Sequence, residues 1–456
     1  MPRALPFCIV LQGLISLTGC IDSAHSQPTA AKFTTGFWYW DTSSGSNWKG
    51  APLDTLFVQV GKFSAPQEEP FGGRLEGWRI YGSFPNKLPD AREYWIVYRY
   101  EQQGVPDLTA VTGLANSIIE VASSAKSNHR HVVGVQLDID SPTASLPRYA
   151  VFLREVRKAI PREMQISITG LLDWFRAGTA IADVIKEVDE FVPQFYDLKR
   201  QEDDVGIAST IDAVRWGPVF NRFRKRFRIG VSTFGRSRIL RRVKETGNGV
   251  RAYYYRDLLP LNVATNPAFQ LQTSRSAAGE LVLNYKATKN TRIEYNDFNT
   301  GDTMQFTLAS PEAIQSATQS VRKIGGYVAG VLFFRWPNSE ETLVMQPEEV
   351  LIAAGVGSSA GPLINRIQTV NGRCAAVHCA DLYLESAKIL WPSAIRYRIR
   401  LSTDLEYFLP DKNVLARMTG PALIELEVPA YCGRRRIYLG RAVTSQVPDF
   451  TVEEVQ

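Results

Sequence analysis

Asp138 and Asp140 stand two residues apart at the end of the apolar run Val132 to Ile139. Side chains of an extended strand alternate between its two faces, so residues i and i+2 point the same way. Val133, Val135, Leu137 and Ile139 then share one face, and Gly134, Gln136, Asp138 and Asp140 share the other. If the apolar face packs on helices, both carboxylates face the opposite side, at the carboxyl end of the strand. Burying unpaired charge is expensive, so packing alone gives no reason for two acids there. Two neighbouring carboxyl groups suit glycosidic-bond cleavage: a protonated acid serves the leaving oxygen and a second group stabilises the oxocarbenium-like centre. Asp140 is the expected proton donor, and Asp138 disfavours a second negative charge beside it and helps keep it protonated. The alternative is a pair of acids holding an inner arginine or lysine network.

Short apolar runs alternating with longer amphipathic ones must position these acids. Strands are expected at Gly36 to Trp40, Leu56 to Val60, Tyr94 to Tyr100, Val132 to Ile139, Gln165 to Gly170, Glu190 to Tyr196, Phe227 to Thr233 and Gly326 to Arg335. Helical spacing marks Leu108 to Ala125, Leu146 to Ile160 and Ile207 to Phe223 between them. Eight such strands predict a closed (β/α)8 TIM barrel over residues 33–355, whose catalytic groups lie at the carboxyl ends of the strands. Residues 245–308 break the rhythm with short strands at Leu281 to Tyr285, Thr291 to Tyr295 and Thr303 to Leu308, and read as an insertion before the last strand. Helices are expected at Pro311 to Lys323 and Pro347 to Ala354. The Gly- and Ser-rich stretch Gly355 to Gly361 marks a boundary. Residues 362–456 alternate polar with apolar and read as a small β-sandwich.

The run Gly134 to Asp140 resembles the signature strand of chitinase-type glycoside hydrolases, in which a glycine begins a series of alternating acids ending in a proton-donating Glu. Asp138 matches the last aspartate, Asp140 falls on the Glu position, and Val133 and Gln136 occupy the two earlier aspartate positions. Gln194, Phe195, Tyr196 and Asp197 resemble that family's Met-x-Tyr-Asp, and Trp336 falls where the family has a tryptophan under the sugar. The resemblance implies a substrate-assisted reaction with Tyr196 and Asp197 holding the attacking substrate group. Asp is one methylene shorter than Glu, and misplacing a proton donor on that scale is costly. The chain is also similar to an uncharacterised family of exported bacterial barrel proteins, a domain of unknown function, through Gln136 to Asp140, Ser167 to Trp174, Phe191 to Tyr196 and the Cys374 and Cys379 region.

Aromatic rings at the strand ends suit stacking on sugar faces, and Trp38, Trp40, Tyr98, Trp174, Tyr196 and Trp336, with Gln194, form the expected substrate-binding set. Some of these rings are expected to be plain core. Tyr253 to Tyr255 are candidates for a wall of the cleft. His129 and His131 lie before the fourth strand, roughly 25 Å of strand rise from Asp140, so no metal is expected, and no cofactor. No Gly-x-Ser-x-Gly elbow occurs and the four histidines avoid the strands' carboxyl ends, which argues against serine catalysis.

Arg3 followed by the apolar stretch Ile9 to Leu17, too short to span a bilayer, reads as a signal peptide. Leu17 to Cys20 match a lipobox, making Cys20 the expected lipidation site and residues 21–32 a flexible tether; the alternative is ordinary cleavage near Ala24. Cys374 and Cys379 could close a small disulfide loop, with Cys432 able to take either as partner. The net charge of +6 is mild and local, in the runs Arg222 to Arg228 and Arg434 to Arg436. The first reads as a solvated helix end, and no nucleic-acid motif accompanies either. Expected partners are a polysaccharide or oligosaccharide and, through the anchor, a membrane; the protein is expected to be a monomer. Two functions fit: hydrolysis of an envelope or extracellular polysaccharide with amino sugars, or non-catalytic sugar binding or envelope assembly on the same barrel.

Overall fold

The computed structural model describes residues 33–40, 48, 50–65, 77–195, 211–242, 251–255, 263, 266–276, 279–337, 343–357, 366–372, 374, 378–385, 390–391, 394–412, 414–428, 431–432 and 436–455. The expected leader with Cys20, the tether, Tyr196, Asp197, Arg434 and Arg435 lie outside them, as do the side chains of Tyr253 to Tyr255, Cys432 and Arg436. Among the described residues no helix is long and apolar enough to cross a membrane.

Along the chain come β1 (Thr34–Tyr39), β2 (Leu53–Ser64), β3 (Arg79–Gly82), β4 (Ala91–Tyr100), α1 (Ala110–Ser127), β5 (Val132–Asp138), α2 (Leu146–Ala159), β6 (Gln165–Gly170), α3 (Ile181–Lys186), β7 (Glu190–Pro193), α4 (Ala213–Asn221) and β8 (Arg226–Ser232). An inserted run follows: β9 (Arg236–Arg242), β10 (Arg251–Tyr255), β11 (Phe269–Arg275), β12 (Leu281–Ala287), β13 (Thr291–Ile293), β14 (Asn296–Phe298) and β15 (Thr303–Leu308). Then come α5 (Pro311–Ile324), β16 (Val328–Phe334) and α6 (Pro347–Ala353). Parallel pairing runs β1-β16-β8-β7-β6-β5-β4-β2, and β1 also pairs with β2, so eight strands close on themselves. The eight expected strands are the barrel strands. Among the described residues no helix lies between β1 and β2, and the short antiparallel β3 stands between β2 and β4, so the alternation with helices begins only at β4.

Local chemistry explains where the elements begin. The Ser310 hydroxyl accepts from the Ala313 amide at the start of α5, Pro311 opens its first turn, and Gly325 ends it at φ 62°. Asp212 caps α4 by accepting from the Val214 and Arg215 amides. The inserted sheet, ordered β10-β9-β15-β12-β11, has its own core around Ile239, Leu283, Met304 and Phe306, and begins at Arg236, earlier than its expected start. Arg-rich β9 hides this from a hydropathy reading.

Beyond residue 357 come β17 (Arg366–Gly372), β18 (His378–Glu385), β19 (Leu390–Trp391), β20 (Ile395–Leu401), β21 (Leu405–Pro410), β22 (Leu415–Gly420), β23 (Leu423–Val428), β24 (Tyr431–Cys432), β25 (Arg436–Thr444) and β26 (Phe450–Val455). The four-stranded sheets β17-β18-β25-β21 and β22-β23-β20-β26 bury one shared cluster that includes Leu382, Leu439, Ile399 and Ile424, as expected of a small sandwich. A disulfide joins Cys374 to Cys379.

Candidate active site

Two apolar clusters show which way each barrel strand faces. Val135, Leu137 and Ile139 share the outer cluster with Leu114 and Ile118 of α1 and Leu153 and Val156 of α2. Trp38, Phe57, Trp95, Val97, Val192 and Leu332 fill the inside. Gln136 and Asp138 therefore point inward, as the alternation requires. Inside, Trp38 Nε1 donates to Gln136 Oε1 at 2.6 Å, and Gln136 Nε2 donates to the Ser167 hydroxyl at 3.1 Å. Gly134 has no room for a side chain, since a Cβ there would stand 2.4 Å from the Gln165 carbonyl oxygen and 2.6 Å from the Trp95 ring.

Val133 corrects the simple alternation. The register with β4 shifts between Tyr94 and Trp95, which pair with Val132 and Gly134, leaving Val133 as an extra residue that packs on the inner cluster. The shift lies before Asp138, so it leaves the direction of that acid unchanged. Arg228 is a second correction. The expected solvated run holds for Arg222, Arg224 and Arg226, which are exposed, but Arg228 lies on inward-facing β8 and is fully buried. There it donates through Nε to Glu190 at 2.8 Å and reaches the Thr34 hydroxyl, a charged plug beneath the aromatic layer.

Above that layer is the mouth. Asp138 is buried and accepts from the Thr169 hydroxyl at 2.7 Å. Arg99 Nε stands 4.0 Å from its Oδ2, and the Arg99 guanidinium lies 5.7 Å from the Trp40 ring centroid. Asp140, just past the end of β5, is exposed. One acid is thus held and desolvated, the other open to water. Their charge is felt behind the sheet: burial, then Asp138 and Asp140, push the Tyr149 hydroxyl on α2 well above its ordinary range. The turn carrying Asp140 is anchored at two points: Trp174 Nε1 donates to the Ser141 carbonyl at 2.9 Å, and the Thr143 hydroxyl donates to Asp173 at 2.9 Å.

The expected substrate-binding set divides. Trp40 is partly exposed at the mouth, and Gln194 is buried just past β7. Trp38 points inward but is wholly buried as barrel filling. Tyr98 lies between barrel and helices, bonded to Ser117 of α1 at 2.8 Å, and burial pushes its hydroxyl up to about 12. Trp174 is likewise fully buried, edge-on to Tyr149, where it positions the acid-bearing turn rather than a sugar. Trp336 packs on the outward rings Phe37 and Tyr39 and on Trp48, with centroids 5.2, 6.1 and 5.5 Å away. The partly exposed ring on the inner side of β16 is Phe334, in edge contact with Trp38, Trp40 and Phe234. Arg99, Thr169 and Phe334 were legible in principle, because parity from Trp95, Ser167 and Leu332 carries each of them inward. The histidine pair lies at the opposite, amino end of β5, where His131 Nδ1 is 3.2 Å from the Arg92 carbonyl.

Comparison with solved structures finds likeness to the spore cortex-lytic enzyme SleL of Bacillus cereus, at 13% identity and TM-score 0.42 over 72% of this chain and 75% of that one. The C-terminal domain of a putative chitinase from Desulfitobacterium hafniense is similar at 11% identity and TM-score 0.41, covering 67% and 94%. A GH18 chitinase from Cycas revoluta, in complex with (GlcNAc)3, is similar at 12% identity and TM-score 0.39, covering 66% and 94%. No curated protein matches the chain. Residues 90–249, from the edge of β4 to beyond β9 and including Arg99, Asp138, Asp140 and Thr169, match the family described as a domain of unknown function, DUF3142.

Proposed function

We propose that the protein is an exported, lipid-anchored glycoside hydrolase acting on an envelope or extracellular polysaccharide that contains amino sugars. The observation that carries this reading is the contrast between two acids at one strand end: Asp138 buried on Thr169, and Asp140 exposed just past the strand. Asp140 hands its proton to the leaving oxygen as the glycosidic bond breaks. The substrate's own acetamido oxygen attacks the anomeric carbon, held by Tyr196 and Asp197. Asp138 steadies the positive charge that develops, and water then opens the intermediate, returning a proton to Asp140. Cys20 carries the lipid, and residues 21–32 tether the barrel to its membrane.

Chromogenic glycosides, including N-acetylhexosaminides, test the reaction: Asp140→Asn should lower kcat by roughly 100-fold or more. Unchanged turnover in that variant removes Asp140 from the chemistry. Labelling with radioactive palmitate should mark the wild type and not Cys20→Ala. One observation favours a second reading, non-catalytic sugar binding: Arg99 stands close enough to Asp138 to offset its charge. Sugar binding without any hydrolysis by the wild type would select it.

A further inference from the structure

We infer that the mouth of the barrel binds a glycan bearing carboxylate groups. This rests on the reading of the mouth as a sugar site and names the class of sugar. Five side chains form an unbroken row across that mouth. The Arg99 guanidinium lies 5.7 Å from the Trp40 centroid, Trp40 lies 5.5 Å from Phe334, Phe334 lies 5.7 Å from Phe234, and the Arg236 guanidinium lies 5.5 Å from Phe234. All five are at least partly exposed. The row is an aromatic floor with a cation at either end.

Rings of this kind stack on the apolar faces of sugars, and the two guanidinium groups beside them carry positive charge that a neutral glycan leaves unmatched. The planar fork of arginine matches a carboxylate with two parallel hydrogen bonds. Among the described residues Arg99 makes no hydrogen bond, and its one acidic neighbour, Asp138, is 4.0 Å away. Beside the Trp40 ring, its donors remain available among the described residues. Without these cations an anionic sugar would meet the field of Asp138 and Asp140, which repels it. A third donor stands on β2: Gln59 follows Phe57 on the inward side, is 9% exposed, and its Nε2 has no partner among the described residues. Buried donors are normally satisfied, so an unfilled one beside the floor suits an oxygen-rich ligand.

Isothermal titration of the full chain with three hexasaccharides tests the inference: alternating N-acetylglucosamine and glucuronate, galacturonate alone, and N-acetylglucosamine alone. At least one acidic hexasaccharide should bind about tenfold more tightly than the neutral one at low salt. That advantage should shrink as ionic strength rises. Arg99→Gln and, separately, Arg236→Gln should each remove most of it while leaving neutral binding within about twofold. Circular dichroism shows whether each variant is folded, and either folded variant suffices. Equal or tighter binding of the neutral hexamer, no binding of either acidic one, or equal weakening of all three by Arg99→Gln overturns the inference. Products are analysed in the same samples. Cleavage of the neutral hexamer without acidic preference sinks the carboxylate class and leaves hydrolysis standing; tight acidic binding without cleavage does the reverse.

Discussion

Trp38 Nε1 donates to Gln136 Oε1 at 2.6 Å across the inside of the barrel, and Gln136 passes the chain on to the Ser167 hydroxyl. In the chitinase-type signature that Gly134 to Asp140 resembles, the position of Gln136 is acidic. Here an uncharged amide does the joining, with a donor and an acceptor each matched. A carboxylate could accept from Trp38 but could offer Ser167 no donor while charged.

Gln136→Leu should therefore destabilise the barrel by about 2–3 kcal/mol, because it strands a buried indole N–H and a hydroxyl together. Urea denaturation followed by tryptophan fluorescence measures it. A loss below about 0.5 kcal/mol, the usual range for an inert surface change, would mean the network contributes little.

Asp140, the proposed proton donor, is short by one methylene relative to the Glu of the resembling family. Asp140→Glu should keep at least the wild-type kcat on glycosides, whereas Asp140→Asn should lose roughly 100-fold or more. If Glu proves as damaging as Asn, length is not the issue and the mouth is shaped around Asp.

Among the described residues, Trp174 is joined to the turn that carries Asp140 by its hydrogen bond to the Ser141 carbonyl. Trp174→Phe keeps most of the ring and removes that hydrogen bond, so kcat should fall about tenfold with KM nearly unchanged, since misplacement of the acid affects the transition state more than binding. Equal changes in both constants would assign Trp174 to packing alone.

Phe334 and Trp336 sit two residues apart and should behave oppositely. Phe334→Ala should weaken sugar binding by about 1 kcal/mol or more, in the range of a lost ring contact. Trp336→Ala should cost about 3 kcal/mol of stability, as for a buried ring, with sugar affinity preserved in the folded fraction. Thermal unfolding and titration on both variants separate the two effects, and the reverse pattern would return Trp336 to the cleft.

In the C-terminal sandwich, Asp381 of β18 accepts from Arg441 Nε and Nη2 on β25 at 2.8 and 2.9 Å, and from the Tyr438 hydroxyl at 3.2 Å. The Arg441 hydrogen bonds hold the carboxyl below its ordinary 3.8, overcoming burial, which pushes the other way. A lower value in the folded state means the contact stabilises the fold above the unfolded value and is lost as pH falls through the folded one. Asp381→Asn should thus destabilise the sandwich by about 1 kcal/mol at neutral pH, with the gap closing as pH falls from the unfolded value through the lower folded one. A gap unchanged across that window would show that charge is not what the contact supplies.

The amino-acid sequence alone determined the eight strands and the inward direction of Asp138, because hydropathy alternation with period two is a local property of an extended chain. The same parity, followed two residues further along β4 and β6, already contained Arg99 and Thr169. It could not contain Val133, which turns inward because the register of β5 slips against β4, and a slip belongs to the pair of strands. Nor could it tell that Arg228 would find Glu190 on the neighbouring strand and be buried whole, since an isolated arginine reads as surface. At β16 the neighbouring rings decided the outcome: Phe37 and Tyr39 take Trp336 on the outer side, while Trp40 and Phe234 meet Phe334 on the inner side. Direction along one strand is written locally; which ring meets the mouth depends on partners far away in the chain.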